Sequence, residues 1–150
     1  MINMNDRMER LLQKEGQGKE MLRTKKIAEE VVNKTKLIKG CIIFDEREML
    51  DENKINFSRI LKIVKDWTGN EISCNELRFS KEELPSNQFL YLAENLQSML
   101  SQKYKGRKFG IVISLYDEIV DLRFHTYRSD EGLWLDKDLN KYDNPILYSV

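Results

Sequence analysis

Between Lys108 and Arg128 the chain reads KFGIVISLYDEIVDLRFHTYR, two runs of apolar–polar alternation around a polar break at Tyr116-Asp117-Glu118. Phe109, Ile111, Ile113 and Leu115 share one face of the first run; Val120, Leu122 and Phe124 share one face of the second. Period-two alternation on both sides of a turn predicts an antiparallel hairpin over 108–127 with one buried face. The opposite face of the second run carries Asp121, Arg123, His125 and Tyr127, a polar and aromatic row.

Helical spacing recurs elsewhere. Met4, Met8, Leu11 and Leu12 predict a first helix, short and loosely held because Gly16 and Gly18 interrupt it. Thr24 is placed to cap a second helix through Lys34, with Ile27, Ala28, Val31 and Val32 as its stripe. The run Leu37 to Phe44, broken by Lys39-Gly40, predicts a strand, and Asp45 to Lys54 a charged loop. Phe57, Ile60, Leu61, Val64 and Trp67 predict a helix over 55–67, with Thr68-Gly69-Asn70 as its stop. Glu71 to Ser80 alternates as a strand. Pro85-Ser86 marks a helix start, and Phe89, Ala93, Leu96 and Leu100 its buried side to about Tyr104. After the hairpin, 129–144 is polar but studded with Leu133, Trp134, Leu135, Leu139 and Tyr142. Pro145 then opens a short apolar end, 146–148, predicted as an edge strand. This order predicts one α+β domain over 1–150, a mixed, mostly antiparallel sheet with the hairpin at its centre and helices packed on one face.

Charge refines the picture. The net charge is zero, yet residues 1–40 hold ten Lys/Arg against six acids, and residues 116–150 hold eight acids against four Lys/Arg. The basic segment interleaves its charges with Glu and lacks aromatics, which reads as a solvated helix face rather than a nucleic-acid site. The opening MINMNDRMER lacks the apolar core of a secretory signal, and no run reaches the roughly 20 apolar residues of a membrane span. Cys41 and Cys74 sit in apolar, strand-like sequence. Without a signal they predict reduced, buried thiols in a cytoplasmic protein, a disulfide between them staying open.

Candidate chemistry is sparse. No phosphate-binding glycine loop, dinucleotide fingerprint or metalloprotease motif occurs, and no cofactor is implied. His125 is the sole histidine, so triads and His-rich metal sites fall away. With Asp121 and Arg123 on the same strand face, His125 could serve a small nucleic-acid-processing enzyme as general acid or base. The plainer reading is a half-exposed strand residue paired with a carboxylate. Asp136, Asp138 and Asp143 lack the glycine and distal glutamate of a calcium loop. Trp134 and Tyr142, set among acids in a turn-rich segment, suit a surface that meets a basic partner: aromatic anchors supply burial and acids supply steering.

The run from Leu122 to Tyr148 resembles the C-terminal signature of a family of small bacterial immunity proteins, an RFH-x-x-R…E-x-x-W-L-x-x-D-L-x-x-Y-x-x-P-I-L pattern. The resemblance implies a cytoplasmic, non-enzymatic inhibitor of a toxin domain, foremost a nuclease, from a polymorphic or contact-dependent toxin system. It carries onto Arg123, His125, Arg128, Glu131, Trp134, Asp138 and Tyr142. The partner-binding set expected is then Asp117, Glu118, Asp130, Glu131, Asp136 and Asp138 for steering, with Trp134 and Tyr142 as anchors, and no membrane, metal or small-molecule substrate. A small enzyme using His125, or a regulatory domain binding nucleic acid through the N-terminal helices, is the alternative.

Overall fold

The computed structural model describes every residue except Gln17 and Lys65, and every side chain among these except Phe57 and Val64. In chain order the elements are β1 (Ile2–Met4), α1 (Asp6–Glu15), α2 (Leu22–Asn33), β2 (Thr35–Ile38), β3 (Cys41–Phe44), α3 (Phe57–Val64), α4 (Trp67–Cys74), β4 (Glu76–Ser80), α5 (Phe89–Lys103), β5 (Phe109–Tyr116), β6 (Ile119–Thr126) and β7 (Ile146–Ser149). Five strands form an antiparallel sheet in the order β1-β7-β5-β6-β4, and β2 and β3 form a separate two-stranded ribbon. The fold is α+β, and the 108–127 hairpin is its centre: Phe109 pairs with Thr126 and Tyr116 with Ile119.

The inner face of the sheet is the one the alternation predicted. Phe109, Ile111, Ile113, Leu115, Val120, Leu122, Phe124 and Leu147 are buried against Met8 of α1, Ala28, Val31 and Val32 of α2, and Phe89, Leu92, Leu96 and Leu100 of α5. The helices of this layer therefore cover one face. Burial of each such side chain stabilises by about 1.5–3 kcal/mol against full exposure.

Several expectations are corrected. The predicted strand over 37–44 is a hairpin, because Lys39 and Gly40 both take positive φ (45° and 85°) and turn the chain in two residues. That is the geometry in which a glycine costs least. The predicted helix over 55–67 divides at Asp66. Its side chain accepts from the Gly69 amide (2.6 Å) and caps a new helix, α4, so that Thr68-Gly69-Asn70 lies inside a helix rather than ending one. Residues 71–74 are helical too, and only 76–80 is strand. The expected stripe positions Phe57 and Val64 lie outside the described side chains.

β7 is no edge strand; it sits between β1 and β5, and Pro145 only precedes it. β1 is a strand the sequence did not announce. It leads into an N-terminus fastened more closely than a loosely held helix would be. Asn5, almost wholly buried, caps α1 through the Met8 amide (3.0 Å), accepts from the Ile146 amide (3.1 Å), and donates to the Asn144 and Leu139 carbonyls (2.6 and 3.3 Å). Among the described residues no helix is long and apolar enough to cross a membrane.

Candidate functional site

The outer face of the sheet is covered at one end and open at the other. Chain 129–145 folds over it and seats Leu135, Leu139 and Tyr142 on Val112, Ile146 and Tyr148. Beneath that flap lies His125. Its Nδ1 donates to the Thr126 carbonyl (2.8 Å), which fixes the tautomer, so Nε2 accepts from the Tyr148 hydroxyl (2.6 Å). The Tyr148 oxygen in turn accepts from the Trp134 amide (3.3 Å) and so anchors the flap to the strand. His125 is fully buried rather than half-exposed, and its ring nitrogens bond to Thr126 and Tyr148 rather than to a carboxylate. Burial is the main cause that holds it below its usual pKa, against the Thr126 carbonyl and the Glu71 charge, which raise it. A general acid or base must reach the proton it moves; this imidazole is spent on two protein partners.

Gly110 faces His125 across the β5–β6 pair, and a Cβ there would stand 2.4 Å from Nε2. Only glycine leaves room for the ring. Gly110→Ala is expected to lower stability by about 1–3 kcal/mol, the usual cost of overpacking, read as a shift in the urea midpoint. An unshifted midpoint would show that the ring has another place to go.

Where the flap ends, a groove of about 550 Å³ remains. Val112 and Ile146 form its floor with Ser114. Trp134, Leu135 and Tyr142 line it from the flap, and Arg78, Asp121 and Arg123 line it from β4 and β6. Tyr116 and Ile119, at the open end, are 61 % and 45 % exposed. The charged lining is laid out by strand register, which sets Glu76 opposite Arg123 and Arg78 opposite Asp121. Arg123 pairs with Glu76 and donates through Nε to Asp121 (3.2 Å), with its guanidinium 5.7 Å from the Trp134 ring centroid. Asp121 is held above the ordinary carboxylate range, first by burial and next by its hydrogen bond with Glu76; Arg123 pulls the other way.

The expected partner-binding residues divide. Trp134 and Tyr142 line the groove. Asp117 and Glu118 stand exposed at the hairpin tip beside it, and Asp130 is exposed on the flap. Asp136 and Asp138 are exposed but occupied in holding the flap. Asp136 accepts from the Asp138 amide and from Lys141 Nζ (both 2.9 Å), and Asp138 accepts from the Asn140 amide (3.1 Å). Glu131 is not free for a partner. It accepts from the Trp67 and Thr68 amides (3.0 and 2.9 Å) and the Thr68 hydroxyl (2.6 Å), and so caps α4 from a distance. Burial works against its charge, and those donors outweigh it, holding the carboxyl below its usual range.

The sequence reading missed Glu71. Its side chain is fully buried and accepts from Arg128 (2.6 Å), the Ile42 amide (2.5 Å), and the Thr126 amide and hydroxyl (2.9 and 3.0 Å). One turn later Asn75 accepts from the Phe44 amide (2.7 Å) and donates to the Ile42 and Phe124 carbonyls (2.8 and 3.2 Å). Glu71 of α4 and Asn75 at its C-terminal cap thus stand in for a neighbouring strand along β3. The signal that could have found them is the E-x-x-x-N spacing, which is one helix face once 67–74 is read as a helix with Asn75 as its cap.

The cysteines are both free; Cys41 is buried, whereas Cys74, expected buried, is exposed. Burial, and next the Glu71 charge, push the Cys41 thiol up. Among the described residues no group of three or more His, Cys, Asp or Glu side chains could hold a metal ion.

These features define an α+β domain whose sheet carries helices on one face and, on the other, a half-covered face with an aromatic-lined groove. The chain belongs to the uncharacterized protein PM0498 family, whose model matches residues 3–150. No curated protein and no solved structure matches it.

Proposed function

We propose that this domain is an immunity protein, which binds a bacterial toxin domain, a nuclease foremost, and neutralises it by covering its functional surface from the cytoplasm. The observation that carries the reading is the open half of the outer sheet face. Apolar side chains remain uncovered there beside exposed acids of the hairpin tip, an arrangement suited to protein contact. The pattern resembling immunity proteins fits this geometry: His125, Arg128, Glu131 and Asp138 hold the flap and α4 in place, and Arg123, Trp134 and Tyr142 line the groove. On this reading the shared residues build the platform, and the exposed positions around it choose the partner. An enzymatic role for His125 gains nothing from a ring closed off from solvent.

The test is survival of cells making the toxin domain encoded beside this chain, with and without the chain, followed by binding of the two purified proteins. A complex of ordinary size would bury roughly 1,600 Å². Trp134→Ala should weaken it by about 2 kcal/mol, as for an interface anchor. Asp136 and Asp138 are poor probes of steering because their reversal would also loosen the flap. Glu118→Lys with Asp130→Lys is the cleaner pair, expected to slow association at low salt while leaving dissociation nearly unchanged. An association rate that ignores both substitutions would remove the steering role.

A further inference from the structure

β4 closes one end of the sheet and pairs with β6 alone. The turn beyond it fixes which of its backbone groups face β6. The Lys81 amide donates to the Glu118 carbonyl (3.2 Å), and on the same edge of β6 the Thr126 amide donates to Glu71. Alternation along the register then makes Leu77 with Leu122 and Phe79 with Val120 the bonded pairs. The N–H and C=O groups of Glu76, Arg78 and Ser80 therefore point away from β6. Ser80 is already served: its amide donates to Glu83 (3.1 Å), and its carbonyl accepts from the Leu84 amide (3.0 Å). Among the described residues, nothing bonds to the outward backbone groups of Glu76 and Arg78. Arg78 is also 65 % exposed, and its contacts with Glu76 (3.4 Å) and Asp121 (3.6 Å) are long, so its side chain reorients at little cost.

The open groups sit on two residues of opposite charge, which selects what can pair there. Consider an antiparallel copy of β4. Glu76 against Glu76, or Arg78 against Arg78, sets like charges opposite each other. Glu76 against the copy's Arg78, and Arg78 against the copy's Glu76, does better on every count. It uses every open backbone group of both residues, sets opposite charges across the junction twice, and brings Leu77, half-buried on the inner face, against its own copy. We infer that two copies of the chain join edge to edge through β4, antiparallel about a two-fold axis at Leu77, merging their five-stranded sheets into one. The contact is self-complementary, as a two-fold interface must be. Short charged strands commonly keep a sheet edge from pairing; this edge carries the two charges in the order that its own copy matches. Three residues a side bury little, so the dimer belongs with small, transient interfaces. The axis crosses the sheet, so both outer faces lie on the same side and stay open. Dimerisation of this kind is independent of whether the outer face meets a toxin.

The test is sedimentation equilibrium of the full chain from about 10 μM to about 1 mM, a range chosen for so small an interface. The average mass should climb from monomer towards dimer. Over the same range the Glu76, Leu77 and Arg78 amide signals should move in proton–nitrogen correlation spectra. Arg78→Glu sets like charges opposite each other at both ends of the junction and should weaken the dimer by about tenfold. Arg78→Pro removes an N–H that β6 does not use, at an edge position where proline is tolerated; each copy loses one of its two donors, and the mass should stay near the monomer throughout. Urea midpoints near the parent's show that both variants fold. A parent chain that remains monomeric at the top of the range, a dimer that both variants leave intact, or concentration-dependent shifts that map away from β4 would overturn the inference.

Discussion

Glu71→Ala is expected to lower stability by about 3–5 kcal/mol, the range found when one partner of a buried ion pair is removed. The carboxylate is fully buried, and it joins three parts of the chain that share no backbone pairing: α4, which carries it; β3, through the Ile42 amide; and the end of β6, through Thr126 and Arg128. Its loss leaves the Arg128 guanidinium, 15 % exposed, without its closest counter-charge, and leaves two amides without an acceptor. Glu71→Gln keeps the shape and one acceptor oxygen, so it should lose less. Arg128→Met alone leaves the carboxylate buried and uncompensated. The double variant Glu71→Gln with Arg128→Met should recover part of the summed loss, and that recovery, measured by urea denaturation as a double-mutant cycle, is the coupling energy of the pair. A Glu71→Ala protein within 1 kcal/mol of the parent would mean that the two-stranded ribbon is not held by this node.

The parts of the fold legible in the sequence are those whose burial is set by one partner of constant kind. The hairpin was readable because both strands face the same helical layer, so their alternation is clean, and α5 because its stripe meets that layer along its whole length. The reading failed where a side chain rather than periodicity decides. Apolar spacing runs through Trp67 as if one helix continued, and it hid the Asp66 cap that starts another. Once Asp66 is seen as a cap, Gly69 becomes a first-turn residue, and Glu71 and Asn75 fall on one helix face. β1 was invisible because three residues carry no period, and Met4 happens to keep helical spacing with Met8; only β7 makes it a strand. The groove was half legible. Trp134 and Tyr142 stood out as aromatics among acids, and Asp121 and Arg123 as a polar row, but nothing local told that Glu76 would lie opposite Arg123 or that the flap would close over His125 and stop short of Tyr116. The acids most conspicuous in the sequence, Asp136, Asp138 and Glu131, turned out to bond to backbone and Lys141, which composition cannot distinguish from steering charge.

The flap's attachment gives the second large expectation, and it carries a pH signature. His125→Ala should cost about 3 kcal/mol at pH 7.5, from the cavity left behind and the Tyr148 hydroxyl deprived of its acceptor. Because the folded protein holds the imidazole below its usual pKa and the unfolded chain does not, the two states bind protons differently on the acid side of neutrality. An unfolded histidine takes up its proton near pH 6.5, while the buried ring stays neutral to lower pH, so the unfolded state binds more protons there and stability falls as pH falls. The contribution is complete above about 6.5 and declines by up to about 1.4 kcal/mol per pH unit below it, levelling off once the folded ring also protonates. Asp45, Glu83, Glu131 and Asp136, whose carboxyls sit below their ordinary range, weaken the fold in the same direction but at and below their unfolded values near 4. Asp121, held above its range, acts in the opposite sense and lessens the loss. The sole histidine makes the assignment clean. Urea midpoints from pH 7 to pH 5 should slope downward for the parent and run nearly level for His125→Ala. If both slopes are equal, the imidazole is not what links the flap to pH, and the Tyr148–His125 bond is not what closes this end of the sheet.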